Sequence, residues 1–110
     1  REIHYVQRGG DAIEPAVTIQ YQGKAETVRM EGNGRLDAVS NAVKKYLNMD
    51  FTLMTYTEHA LEVRSNSQAV SYVELVKNEK SYWGVGVHSD IINSSISAFL
   101  SALNQLVQDM

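Results

Sequence analysis

The chain has 110 residues, 44% hydrophobic and 21% charged, which is one domain's worth of ordinary globular sequence and unlike a disordered segment. Its net charge of −3, from 10 basic and 13 acidic residues in no long run of either sign, excludes the basic patch that non-specific nucleic-acid binding needs. It has no cysteine, hence no disulfide framework or Cys-ligated zinc, and no apolar run nears the ~20 residues of a membrane span.

In chain order, alternation at Ile3 and Tyr5 predicts a first strand, closed by the turn signal Gly9-Gly10-Asp11. After Pro15, Val17 and Ile19 alternate with Thr18 and Gln20. Gln22-Gly23-Lys24 then reads as a hairpin turn into a strand from Thr27 to Met30. A glycine pair, Gly32 and Gly34, follows. From Asp37 the period becomes helical, with Ala38, Val39, Ala42, Val43, Tyr46 and Leu47 on one face and Lys44 and Lys45 on the other. Asp37 is a suitable helix-start residue.

The order then repeats. "DFTLMTYT" predicts a strand, "EHALEVRSNS" a connection, and "QAVSYVELVKNEKSYWGVGV" a hairpin turning at Lys77-Asn78-Glu79. Asp90 opens a longer helix with Ile92, Ile96, Phe99, Leu100, Leu103 and Val107 along one stripe. Ala16-Val17 falls on Ala69-Val70 and Asp37 on Asp90, 53 positions on in each case, with Met30 falling on Trp83. We therefore expect an α+β domain of two pseudo-symmetric β-β-β-α units, 1–48 and 49–110. Each such sheet, with one helix against it, leaves apolar surface to bury, so dimerisation is expected.

The motif "GNGRLD" lacks both the lysine-hydroxyl ending of a P-loop and the third glycine of G-x-G-x-x-G. What remains is a helix start whose approach lacks side chains, where bare N–H groups suit a small carboxylate. "GVGVHSD" offers a second such start, and two together could form a paired site. His4, His59 and His88 have no metal-ligand spacing, and Glu58 and His59 are strand neighbours that point apart. Ser94, Ser95 and Ser97 suit close packing or ligand approach more than nucleophilic catalysis, since no histidine is placed to activate them. The aromatics read as core or interface. An enzyme acting alone is not supported.

The segments "GNGRLDAV", "YTEHAL", "SQAVSYVEL" and "WGVGVHSDIINSSISAFLSALNQL" resemble the C-terminal regulatory domain of 2-isopropylmalate synthase, also found in citramalate synthases, over nearly the whole chain. The resemblance implies a single regulatory domain, 1–110, of two β-β-β-α units that pairs in a homodimer. It also implies binding of the end-product amino acid, L-leucine, with isoleucine as the alternative effector, and feedback inhibition of a separate catalytic barrel. That barrel, an acyltransferase joining acetyl-CoA to 3-methyl-2-oxobutanoate, would hold the divalent metal. This domain would carry no cofactor and no catalytic residue. Starting on Arg1 without an N-terminal leader, the chain reads as a piece of a longer cytoplasmic polypeptide.

By motif, the resemblance places the effector at Gly32, Asn33, Gly34, Leu36 and Asp37 from the first corner. It adds Leu53, Tyr56 and Ala60 from "LMTYTEHA", Ser67 and Ala69 from "SNSQA", and Asp90, Ile91 and Ser94 from the second corner. Arg35 stands where many relatives have proline. Leu36, Leu53, Tyr56 and Ile91 suit an apolar lining, and small Ala60 and Ala69 leave room for a γ-branched side chain. The alternatives are an isoleucine-sensing citramalate synthase domain and a purely structural dimerisation module.

Overall fold

A computed structural model describes residues 3–10, 15–29, 36–61 and 68–110. Its elements run β1 (His4–Gly10), β2 (Pro15–Tyr21), β3 (Lys24–Arg29), α1 (Asp37–Leu47), β4 (Thr52–Leu61), β5 (Gln68–Lys77), β6 (Lys80–His88) and α2 (Ile91–Gln108). Two antiparallel sheets form, β1-β2-β3 (sheet A) and β4-β5-β6 (sheet B), so the strand-strand-strand-helix order occurs twice. Both hairpins turn on two residues with positive φ. Gln22 (52°) and Gly23 (81°) serve the first, and Asn78 (53°) and Glu79 (67°) the second. That is the turn geometry whose twist matches flanking strands.

The repeat is less regular than one register suggests. Val39 and Ile92, and Val43 and Ile96, keep the 53-residue displacement and are buried in both helices. Ala38, in contrast, is exposed. In the hairpins, Ala16 pairs with Arg29 whereas Ala69 pairs with His88, 59 positions after Arg29. The second hairpin is therefore three residues longer in each arm. Trp83 lies inside β6, opposite Glu74, and Met30, its expected counterpart, lies outside the described residues. The second unit passes from β6 to α2 through residues 89–90, and residues 30–35 of the first lie outside the described residues. Strand β4 also runs on to Leu61, through part of the segment expected to be a connection.

Helix α2 packs on β5 and β6, and α1 lies against β3. One core joins the two units, with Val17 and Ile19 of β2, Val39 and Val43 of α1, and Ile96, Phe99 and Leu103 of α2. Phe51 meets Phe99 at a ring-centroid distance of 6.2 Å. Polar contacts tie β1 to α2 across the units. The Ile3 N–H donates to Asn104 Oδ1 (2.7 Å), Asn104 Nδ2 donates to the Ile3 carbonyl (3.2 Å), and Tyr5 donates to Asn93 Oδ1 (3.1 Å). No described helix is long and apolar enough to cross a membrane.

Candidate functional site

The two helix starts differ, and the difference lies in their caps. At α2 the cap is Asp90, whose Oδ1 accepts from the N–H groups of Ile92 (2.7 Å) and Asn93 (3.3 Å). At α1 the cap residue is Leu36, which makes no side-chain cap bond, and Asp37 sits one place inside the helix. A cap carboxylate satisfies the first-turn donors that would otherwise favour an external anion. At the α2 start, Asp90 therefore already accepts from two of the N–H groups that the sequence leaves bare.

Gly84 and Gly86 also differ from the expected corner. They lie within β6, buried beneath α2, and neither has a positive φ. A Cβ on Gly84 would drive into the Ala98 carbonyl oxygen and the Ala102 nitrogen. On Gly86 it would drive into the Ser94 carbonyl oxygen and come within 2.6 Å of the Ala98 nitrogen. These glycines let the helix backbone settle directly on the strand. They serve packing.

Of the residues singled out by sequence, those on β4, β5 and the start of α2 form one connected corner. A β-bulge at Met54 changes the strand's alternation, so that Leu53 pairs with Leu75 and Tyr56 with Val73. Both partners are buried on the α2 side, so both Leu53 and Tyr56 face that helix. Ala60 pairs with Ala69, and Ala69 with His88, whose Nδ1 accepts from the Asp90 N–H (3.2 Å). Tyr56 Oη lies 2.5 Å from Ser95 Oγ, and Ser95 Oγ donates to the Ile91 carbonyl (2.8 Å). The corner is thus an alanine row flanked by Tyr56 and the first turn of α2.

The remaining residues stand elsewhere. Ser94 is fully buried, 2.7 Å from Ser71 Oγ and donating to the Gly86 carbonyl (3.0 Å), so it belongs to the joint between helix and sheet. Leu36 is buried in the shared core and Asp37 is exposed, both at the start of α1 in the first unit. Gly32, Asn33, Gly34 and Ser67 lie outside the described residues. Ser95 was read by sequence only as one of three dense serines. Its i+4 spacing from Ile91, opposite a strand tyrosine, was the available signal.

Among the described residues, two recesses lie away from this corner, on either side of the β2–β3 turn. One of about 370 Å³ is lined by His4 and residues 20–25. The other, of about 200 Å³, is lined by Tyr21, Gln22, Lys24, Tyr46 and Leu47. No grouping of three metal-ligating side chains occurs among the described residues. Glu58 and His59 point apart as expected. Glu58 Oε2 accepts from Tyr56 (2.9 Å), while the His59 ring meets Tyr72 edge-on at 6.1 Å on the opposite face.

Burial, chiefly, pushes the Tyr56 hydroxyl up to about 12, opposed by the Ser95 hydrogen bond and reinforced by Glu58. The same direction holds for Tyr46, mainly through burial, and for Tyr82, mainly through its bond to Asp109. In each case the folded value exceeds the unfolded one. Stability is therefore full below about pH 10 and falls as pH rises towards 12, where the unfolded chain ionises first. Tyr56→Phe is expected to flatten this alkaline loss without abolishing it, since Tyr46 and Tyr82 still contribute. Urea midpoints at about pH 8 and about pH 11 for both proteins measure the difference. An unchanged alkaline slope would show that Tyr56 is not buried as described.

The chain matches the LeuA allosteric (dimerisation) domain family over residues 2–107. It is 42% identical over 100 residues to a 2-isopropylmalate synthase of Desulfitobacterium hafniense (strain Y51), covering 90% of this chain and 18% of that protein. A 2-isopropylmalate synthase of Helicobacter hepaticus is 48% identical over 77 residues, 70% of this chain and 14% of that protein. One from Clostridium acetobutylicum is 37% identical over 105 residues, 94% and 18%. The chain thus spans less than a fifth of the length of these relatives.

Proposed function

Because the chain belongs to the LeuA allosteric (dimerisation) domain family found in 2-isopropylmalate synthases, we propose that it is the leucine-sensing regulatory part of such a synthase. In this reading it binds free L-leucine and lowers the activity of a catalytic barrel elsewhere in the parent chain. That barrel would join acetyl-CoA to 3-methyl-2-oxobutanoate with its own divalent metal. The present domain would then act by binding alone.

The observation that carries the reading is the corner of Tyr56, Ala60, Ala69 and Ile91. Ala60 and Ala69 pair across β4 and β5 and present only methyl groups, beside a half-buried tyrosine and isoleucine. An apolar side chain of limited size suits such a surface. The effector changes activity only through different affinities for two arrangements of the parent enzyme.

Titration calorimetry of the 110-residue chain with leucine, isoleucine and valine tests the proposal. Leucine is expected to bind on the order of tenfold more tightly than isoleucine, since one methyl's placement in an apolar pocket is worth roughly 1–3 kcal/mol. The reverse ranking would assign the domain to isoleucine sensing. Silence towards all three at millimolar ligand would leave a dimerisation module only.

A further inference from the structure

The β2–β3 turn meets the last turn of α1 at the recess of about 200 Å³ lined by Tyr21, Gln22, Lys24, Tyr46 and Leu47. Strand register decides which side chains reach it. Val17 and Ile19 of β2 are buried in the core, and side chains two apart share a face, so Tyr21 points to the same side. Across the ladder Tyr21 pairs with Lys24 and Ile19 with Glu26, which puts Lys24 and Glu26 on that side as well. Tyr21 and Leu47 pack against the edge of the core and give the recess its apolar wall.

Tyr46 Oη is buried and has no hydrogen-bond partner, the one such side-chain atom among the described residues. The buried hydroxyls of Ser71, Ser94 and Ser95, in contrast, are all bonded. A buried hydroxyl without a partner costs free energy in the empty protein, and an acceptor brought within reach recovers it. Burial first, and the nearby Glu26 carboxylate second, hold this hydroxyl above the ordinary tyrosine value, so it remains an O–H donor at neutral pH. Two further donors line the same space. The Lys24 ammonium makes no ion pair among the described residues. Tyr21 Oη accepts from Gln22 Nε2 (3.4 Å), which leaves its own hydrogen to donate. Lys24 matches a single negative charge, and a second would meet Glu26 two residues along the same face.

We propose that this recess binds a small monocarboxylate with a short apolar body, its carboxylate accepting from Tyr46, Lys24 and Tyr21 and its carbon chain lying on Leu47 and the tyrosine rings. The site is separate from the corner of Tyr56, Ala60, Ala69 and Ile91 and does not depend on which amino acid that corner takes.

Butanoate, butanol and butylamine share one apolar body and differ only in the head group, which makes them the probes. Chemical-shift titration of the isotope-labelled 110-residue chain reads the amides of Gln22, Gly23, Lys24 and Leu47. Butanoate is expected to move them saturably and about tenfold more tightly than butanol, because charge-assisted hydrogen bonds exceed neutral ones. Butylamine is expected to leave them in place. Tyr46→Phe should weaken butanoate about tenfold while its urea midpoint stays at or above the parent's, since the substitution removes an unpartnered group. Lys24→Met, at an exposed side chain, should abolish the preference for butanoate over butanol. The proposal is overturned if butanoate moves none of these amides, if butylamine binds more tightly than butanoate, or if Tyr46→Phe binds butanoate as the parent does. A Tyr46→Phe midpoint below the parent's overturns it too, because the hydroxyl would then be bonded in the folded chain. Should Tyr46→Phe fail to fold, an unchanged preference for butanoate in Lys24→Met overturns it alone.

Discussion

Gly84→Val is expected to destabilise the chain by at least about 3 kcal/mol. The reason is what the new Cβ would strike. Its nearest neighbours are the Ala98 carbonyl oxygen and the Ala102 nitrogen, both backbone atoms of α2, with Ser101 Cβ at 2.9 Å. A flexible side chain can turn aside, but a helix backbone yields only by lifting away from the sheet. Lifting α2 from β6 would open the contact at Ala98 and Ala102 and the adjacent Ser71–Ser94 bond together. A domain whose whole net stability is about 5–15 kcal/mol would lose much of it. Gly23→Ala is the control, since Gly23 has φ 81° but nothing within 4 Å, leaving only about 1 kcal/mol of backbone strain. Urea unfolding followed by far-UV dichroism compares the three proteins. If Gly84→Val fell within 1 kcal/mol of the parent, α2 would not sit where described.

The same glycines show what could be read in the sequence and what could not. The order of elements was legible because period changes are local: alternation in the strands, 3.6-residue spacing from Asp37 and again from Asp90. The Asn78-Glu79 turn was legible from its composition. The hairpin lengths were not, because the pairing of Ala69 with His88 is a long-range register that no local pattern fixes. The apolar stripe of α2 was visible, but its second buried side was hidden in small residues. Ser94, Ala98 and Ala102 recur every fourth position and face the glycines of β6. A small-residue stripe in a helix, matched to alternate glycines in a strand, signals close approach, and neither motif signals it alone. At the candidate site, Tyr56, Ala60 and Ala69 could be named by resemblance. The bulge at Met54 that turns Leu53 to the same side could not. Asp37 and Asp90 looked alike because they share a repeat position, yet only Asp90 caps its helix.

Residues 49–110 alone are expected to lose the cooperative fold, although they contain a complete β-β-β-α unit. Two sides of α2 are buried by different partners. The side bearing Ser94, Ala98 and Ala102 rests on β6. Ile96, Phe99 and Leu103 follow at i, i+3 and i+7, which carries them to the other side of the helix. There they join a core to which the first unit contributes Val17, Ile19, Leu36, Val39 and Val43. Removing residues 1–48 would strip the first unit's cover from those three side chains of α2, with Phe51 still meeting Phe99. At about 1.5–3 kcal/mol per fully buried side chain, the loss is at most about 5–9 kcal/mol. The fragment's own ordering cost does not change, and its net stability would be of that same size or smaller. The bonds from Asn104 to Ile3 and from Tyr5 to Asn93 would go with the first unit. Calorimetry is the measurement. The 110-residue chain is expected to unfold in one transition, seen alike by dichroism and Trp83 fluorescence, and the fragment to show no heat-absorption peak. A fragment that melted cooperatively near the parent's midpoint would mean that the two units are separate domains, and that the shared core around Phe99 does not couple them.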